Sequence, residues 1–449
     1  MKAIGKNEAR KGGGDGAGKV RVRRKVDPLS PPTTLELRGI RIHFPFKPYA
    51  CQEAYMEKVL DALFRSENAL LESPTGTGKT LMLLCATLAW QRQQQRSLRE
   101  AVDLPAASDQ AGAFNLSQDG PTQAARSPQI IYASRTHSQL SQVVRELRNT
   151  RYRPPHAVLA SREQMCVNPK VKKKHSTSSD INHDCNKLGK ERKCRYRNGL
   201  EGFVPPPTEH GGSMAHQPIM DMEELITMGK SSHVCPFYYT RSQVENAELI
   251  LVPYNYLFDK DARETTLADV RWKNAIVIFD EAHNLESFAS DSASFDLSNN
   301  DIAGCMNEVR RAANYLQSMP DLQYNLKEEN LMLLTRAFES LENFILGLGP
   351  QTAYGGEFMM EIFRKGAGIT HANHALFIEE LRKVNDMIMD LRGTGATRGS
   401  PRLEHFATCL KRVYGHKLEA RCLAKASSYR VVSGLGYFCR TTPVPVPSI

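Results

Sequence analysis

The chain has 449 residues, 41% of them hydrophobic, with a net charge of +10 and ten cysteines. That length accommodates two to four domains around a sizeable core. No stretch approaches the ~20 apolar residues that span a bilayer, and the basic, glycine-rich N-terminus lacks the apolar centre of a secretory signal, so a soluble intracellular protein is expected, one with no use for a disulfide framework.

Residues 1–33 read as a disordered basic tail of Gly, Lys, Arg and Pro. Over residues 1–30, nine Lys/Arg stand against three acids, and Val20–Lys25 has the form of a nuclear localisation signal, a pattern with many chance matches. Ala69–Leu71 reads as a short strand, followed by a loop and a helix over Thr80–Trp90; residues 91–127, rich in Gln, Ser, Ala and Gly, read as a loop insertion. Ile130–Ala133 is a buried-type strand, and the helix expected over Ser138–Thr150 sets Leu140, Val143, Val144 and Leu147 on one face. Ala157–Leu159, Leu249–Val252 and Ala275–Phe279 are further buried strands. Strands alternating with helices predict an α/β fold with a parallel sheet covered on both faces. Residues 170–197 hold ten Lys/Arg against three acids, a second place suited to a polyanion. Residues 296–428 read as a separate helical insert, with patterns such as Leu331–Leu346 and Ala375–Leu391. Thr441–Ile449 alternates proline and valine and excludes a regular helix.

Ser73-Pro74-Thr75-Gly76-Thr77-Gly78-Lys79-Thr80 falls between the expected strand and helix, the context a phosphate-binding loop requires. Gly76 and Gly78 allow the backbone to turn its N–H groups inward, and the helix adds its positive N-terminal end. Lys79 can reach the β- and γ-phosphates of ATP, and the Thr80 hydroxyl can ligate Mg²⁺. The usual pattern opens on glycine; here that position is Ser73. Asp280-Glu281-Ala282-His283 follows directly on Ala275–Phe279. An acid at such a strand end faces the phosphate loop, so Asp280 is expected to hold Mg²⁺ and Glu281 to orient the attacking water, with His283 beside them.

Cys166, Cys185, Cys194 and Cys235 lie between the second and third apolar strands, separated by 18, 8 and 40 residues. There is no Cys-x-x-Cys pair, so a zinc ribbon fits poorly. Spacing alone leaves one metal centre and separate buried thiols both open. Tyr196, Phe237, Tyr238 and Tyr239 are nearby and suit either base stacking or ordinary core.

Leu71–Thr80, Tyr132-Ala133-Ser134-Arg135-Thr136-His137-Ser138-Gln139, Pro253-Tyr254-Asn255-Tyr256-Leu257 and Asp280–Asn284 together resemble superfamily 2 DNA helicases of the xeroderma pigmentosum group D class, over about residues 35–432. Ser161–Cys166 and Leu147–Pro154 set the chain apart from the branch that holds the Fanconi anaemia group J helicase. The resemblance implies a P-loop, RecA-like motor lobe in two parts, 34–160 and 241–295, with an iron–sulfur domain at 161–240 and a helical arch-like insert at 296–428. It implies an ATP-dependent 5′-to-3′ helicase acting on single-stranded and branched duplex DNA, in nuclear DNA repair, recombination control and telomere maintenance. It assigns Gln52 to the adenine, Ser134, Arg135, Thr136 and His137 to the single-strand backbone, and the four cysteines to a [4Fe–4S] cluster. Residues 429–449 are expected to begin a return to the first lobe and then diverge. The second motor lobe and its arginine finger of that family are absent from these residues, so the chain alone is expected to hydrolyse little ATP; the competing reading is a truncated, non-catalytic form that binds DNA or a partner.

Overall fold

The computed structural model describes residues 33–103, 127–172, 177–205, 218–318, 326–348, 352–392, 402–434 and 437–443. The expected tail, from residue 1 to 32, and residues 104–126 of the expected loop insertion lie outside them.

The fold opens on an antiparallel hairpin, β1 (Thr33–Leu37) and β2 (Ile40–Phe44), whose two turn residues Arg38 and Gly39 have φ of 52° and 75°, as a two-residue turn matched to strand twist requires. Helices α1 (Ala50–Arg65) and α2 (Lys79–Asp103) follow, then β3 (Ile130–Ser134), α3 (His137–Arg148) and β4 (His156–Val158). An insert carries α4 (Arg162–Met165), α5 (Ser178–Lys190), α6 (Arg195–Asn198), α7 (Met222–Ser231) and α8 (Pro236–Gln243). The chain then returns through β5 (Leu249–Pro253), α9 (Asn255–Phe258), α10 (Lys260–Thr266), β6 (Ile276–Phe279) and α11 (Leu285–Ala293).

Strands β3 to β6 form one parallel sheet in the order β4-β5-β3-β6. Every residue of β3 and β5 is buried, the mark of strands covered on both faces. Alternate residues feed two cores: Ile130, Tyr132, Leu249 and Leu251 pack with α1, α2 and α3, while Ile131, Ala133, Ile250 and Val252 pack with Tyr254, Leu257 and Leu267.

The remaining residues fold on a third core. Strand β7 (Phe295–Leu297) leads into α12 (Asn299–Ser318), α13 (Glu328–Leu346), β8 (Ala353–Gly355), α14 (Phe358–Ala367), α15 (His374–Arg392), α16 (Arg402–Tyr414), α17 (Glu419–Ala426), β9 (Tyr429–Gly434) and β10 (Tyr437–Pro443). Phe406 packs edge-on against Phe338 and Phe363, at centroid distances of 4.9 and 5.8 Å. The two inserts meet where Lys187 and His183 of α5 both pair with Asp390 of α15, and Ser179 donates to Glu404 of α16.

Three expectations are corrected. The helix expected to stop at Trp90 runs on to Asp103, so residues 91–103 are not a loop. Gln, Arg, Leu and Glu are good helix formers, and this stretch is anchored: Gln91 Nε2 donates to the carbonyls of Pro128 and Glu248, and Gln95 Nε2 to Ser127 Oγ. Ala69–Leu71 forms no strand. It pairs with none of the four strands, Leu70 is 90% exposed, and β6 is left as a sheet edge with Val277 40% exposed. Tyr429–Gly434 does not return to the parallel sheet. It joins an antiparallel sheet of order β7-β10-β9-β8, because β10 follows within a few residues and offers a partner at little loop-closure cost.

The separate third core yields a prediction. Phe406→Ala is expected to cost about 3–5 kcal/mol; calorimetry of the variant should show a transition assigned to residues 295–443 moving down while nucleotide-site melting stays in place, and one common shift would mean the cores unfold together.

Candidate functional site

The phosphate loop turns at Gly76 and Gly78, both at φ +85°, a left-handed conformation that a side chain would strain. Helix α2 starts at Lys79, so the loop feeds directly into a helix N-terminus. Ser73 and Thr77 hydroxyls are 2.5 Å apart, and Thr77 Oγ1 donates to the Pro74 carbonyl at 2.9 Å, so Ser73 is the donor of that pair. Lys79 Nζ donates back to the Ser73 carbonyl at 3.1 Å. Pro74, Thr75 and Gly76 are exposed, leaving the concave side of the loop open to a ligand. Gln52, at the start of α1, is 3% exposed. Its Nε2 donates to the Thr77 carbonyl at 2.8 Å and its Oε1 accepts from the Tyr49 N–H at 3.0 Å, so its amide clamps the loop. The cap box at the start of α1 is made by this same residue.

Across the sheet, β6 ends and Asp280 follows, its N–H donating to the Ala133 carbonyl of β3 at 2.9 Å. Burial and the neighbouring Glu281 raise the Asp280 carboxyl above its usual range, opposed by Tyr132 and Lys79. Glu281 is a non-glycine residue in the left-handed region, φ 55° and ψ 47°, a strain of about 1–3 kcal/mol that clusters at functional sites. Its carboxylate faces His283 Nδ1 at 3.4 Å, and Asn284 Nδ2 donates to the Glu281 carbonyl at 3.2 Å. The Tyr254 hydroxyl donates to the Asp280 carbonyl. Thr80, Asp280 and Tyr132 thus bring oxygen ligands and a donor to one point, a set that fits a hard cation such as Mg²⁺. Tyr132 escaped sequence reasoning; its one signal was a phenol in an otherwise aliphatic strand.

The Ser134–His137 segment closes β3 and opens α3. Ser134 is fully buried and its hydroxyl donates to Gln139 Oε1 at 2.9 Å. Thr136 is the N-cap, in a capping box with Gln139. Both therefore hold the turn; Arg135 and Thr136 are exposed to solvent, and Arg135 is the exposed member whose side chain is not spent on the turn. Burial lowers the His137 pKa, Glu223 and Gln164 pulling the other way, and its Nδ1 has no hydrogen-bond partner.

The four cysteines come together from four elements. Cys166 ends α4, Cys185 lies within α5, and Cys194 and Cys235 are the residues preceding α6 and α8. Cys185 and Cys194 both act on Cys166, and Cys185 and Cys166 both act on Cys235, so the thiols share one neighbourhood. Burial raises the Cys166 thiol and pushes Cys235 up to about 11. Backbone N–H donors oppose this, that of Asn168 at Cys166 and those of Phe237 and Tyr238 at Cys235; separately, Asn168 Nδ2 donates to Cys194 Sγ, 3.4 Å away. Among the described residues no set of three or more His, Cys, Asp or Glu closes on a single metal ion. Tyr196, Phe237 and Tyr239 are core, at 6, 5 and 7% exposure. Arg162 and Arg241 lie over the Phe237 ring at 4.5 and 3.5 Å, and Arg197 over Tyr238 at 4.3 Å.

If the Gln52 clamp holds the loop, Gln52→Ala takes both bonds away from the part-buried Thr77 carbonyl and the Tyr49 N–H. Urea unfolding is expected to show a loss of about 0.5–1.5 kcal/mol, and an unchanged midpoint would mean the clamp contributes nothing.

Residues 132–302 match the DEAD_2 family and residues 300–432 match the family described as RTEL1 helicase, ARCH domain. The chain is 39% identical over 382 residues to regulator of telomere elongation helicase 1 of Mus musculus, an alignment that covers 78% of this chain and 30% of the relative. It is 37% identical over 404 residues to the regulator of telomere elongation helicase 1 homolog of Arabidopsis thaliana, covering 86% and 37%. A solved structure titled XPD helicase aligns with a TM-score of 0.48 at 17% identity, over 88% of this chain and 54% of that one. The chain thus spans about a third of the length of the curated relatives it matches.

Proposed function

We propose that this chain, a homologue of the regulator of telomere elongation helicases, is the ATP-binding part of a 5′-to-3′ DNA helicase of the iron–sulfur class, acting in the nucleus in DNA repair, recombination control and telomere maintenance. The observation that carries the reading is the phosphate loop at the start of α2 facing Asp280 at the end of β6, with Thr80 between them. Lys79, freed from the Ser73 carbonyl, would bind the β- and γ-phosphates. Thr80 and Asp280 would hold Mg²⁺, and bound Mg²⁺ would neutralise phosphate charge and reverse the upward push on the Asp280 carboxyl. Glu281 would orient the attacking water, with His283 steadying its carboxylate. Single-stranded and branched duplex DNA are the proposed partners, met by Arg135 and by the basic residues 170–197. No helix of the described residues is long and apolar enough to cross a membrane.

Cys166, Cys185, Cys194 and Cys235 would hold a [4Fe–4S] cluster. Its chemistry there is structural: four thiolate bonds would tie α4, α5, α6 and α8 together under a strongly basic segment. A DNA- or partner-binding form without catalysis is the competing reading. It leaves the joint presence of Lys79, Thr80, Asp280 and Glu281 without purpose.

Lys79→Ala is expected to abolish ATP binding while single-stranded DNA binding survives; equal loss of both would mean misfolding and remove the site-specific role. Cys194→Ser is expected to strip iron and acid-labile sulfide and to destabilise residues 161–240, and iron retained at full stoichiometry would overturn the ligand assignment.

A further inference from the structure

The turn between α16 and α17 collects cations from two parts of the molecule. Lys260 of α10 donates through Nζ to the Gly415 carbonyl at 2.7 Å, which sets α10 beside the end of α16. His416 and Lys417 follow Gly415 in the chain. Arg421 and Lys425 lie four residues apart on α17, one turn or about 6 Å along its axis. Lys417, Arg421 and Lys425 are exposed, and among the described residues none of the three makes an ion pair. Between residues 415 and 426 the sole acid is Glu419, in the first turn of α17, where it favours the helix start. Lys365 and Lys383 of the same insert, by contrast, meet Glu361 at 3.1 Å and Glu380 at 2.6 Å.

The cations act on one another. Burial first, then Lys425, Lys260 and Arg421, lower the His416 pKa. Burial, then Lys260 and Arg412, lower that of Lys425, opposed by Cys422. Like charges one helical turn apart destabilise the helix that carries them, and an anion relieves them. Exposed cations set in a row answer to repeated charge and not to one small anion, which is the chemistry of a nucleic-acid backbone.

We propose that the Lys417–Arg421–Lys425 row, with Lys260 and His416 beside it, is a further contact for the phosphate backbone of single-stranded DNA, set where α10 meets the helical insert. A strand lying there would bridge the parallel-sheet part and the insert, whose direct ties at this place include Lys260 to Gly415 and Lys411 to Asp261, the latter at 2.8 Å between exposed side chains. Residues 415–426 contain no basic run, so the row shows only once α17 is folded and α10 is placed. The inference rests on the DNA-binding reading above, and the experiment separates the two.

Lys417→Gln with Arg421→Gln removes two exposed charges of the row. Arg310→Gln with Arg336→Gln, exposed on α12 and α13, removes the same charge elsewhere on the insert. The full chain, wild type and both variants, is titrated against a fluorescent single-stranded oligonucleotide by anisotropy over a salt series, and each is melted. All three should melt together. The slope of log affinity against log salt is expected to flatten by about 1.4 in the first variant, ~0.7 for each lost phosphate contact, and to stay unchanged in the second. Lys425→Gln alone, at the other end of the row, should flatten it by about 0.7, which tests the row even if the double variant is unstable. Slopes equal to that of wild type would overturn the proposal and leave the row to an acidic protein partner or to solvent. An equal change in the Arg310 and Arg336 variant would overturn it too, as an effect of net charge. If wild type binds no single-stranded DNA, the DNA reading itself fails and takes this one with it.

Discussion

The register of β3 is the constraint on which the rest of the site depends. It pairs with β5 from Ile130↔Leu249 to Ser134↔Pro253 and with β6 from Ile130↔Ile276 to Ala133↔Phe279. That pairing brings three strand ends to one edge. The Ala133 carbonyl takes the Asp280 N–H, and the Ser134 carbonyl takes the Tyr254 N–H at 3.0 Å. A one-residue slip would turn Tyr132 to the other face and carry Asp280 away from Thr80. Burial on both faces of β3 makes such a slip expensive, so the sheet specifies the site geometry. The left-handed Glu281 is held between Asp280, whose N–H is tied to the Ala133 carbonyl of β3, and the turn made by Asn284.

The two inserts are hung on this sheet without disturbing it. Strands β4 and β5 are direct neighbours, from His156↔Leu249 to Val158↔Leu251, although the cysteine-bearing segment separates them in sequence. The crossover between two parallel strands is therefore the insert itself. Its small helices are short, and its core is partly arginine stacked on aromatic rings. A Cβ at Gly189 would lie 2.0 Å from the Arg197 guanidinium that crosses α5, so any larger residue there would make the arginine shift. The insert's apolar residues, among them Met165, Tyr196, Leu225, Met228, Phe237 and Tyr239, continue the core that packs on one face of the sheet. The helical insert differs. Its Phe338–Phe363–Phe406 core is large and apolar, and its polar ties to the cysteine insert, through Asp390 and Glu404, are few.

Much of this was legible in the sequence where one residue run determines its own structure. The aliphatic strands β3 and β5, the one-sided helix α3 and the Gly-x-Gly-Lys-Thr loop each announce themselves by period or by backbone demand. What was not legible depends on distant partners. Ala69–Leu71 looks like a strand but finds no neighbour; residues 91–103 look like a loop until Gln91 and Gln95 find the Glu248 region 150 residues away. Strand β9 has the composition of a core strand and gives no sign of which sheet it joins. Ser134 reads as a phosphate contact, yet the structure buries it and spends its hydroxyl on Gln139, while Arg135 stays exposed. The aromatics near the cysteines were ambiguous because burial, which decides between stacking and packing, is not a local property.

The central claim is that one strand pair assembles a single metal-dependent nucleotide site from Lys79, Thr80 and Asp280. Isothermal titration of the 449-residue chain with ATPγS, in Mg²⁺ and in EDTA, tests it most directly. One nucleotide per chain, bound tighter with the metal than without, is the predicted result. Failure to bind, or binding indifferent to Mg²⁺, would contradict it.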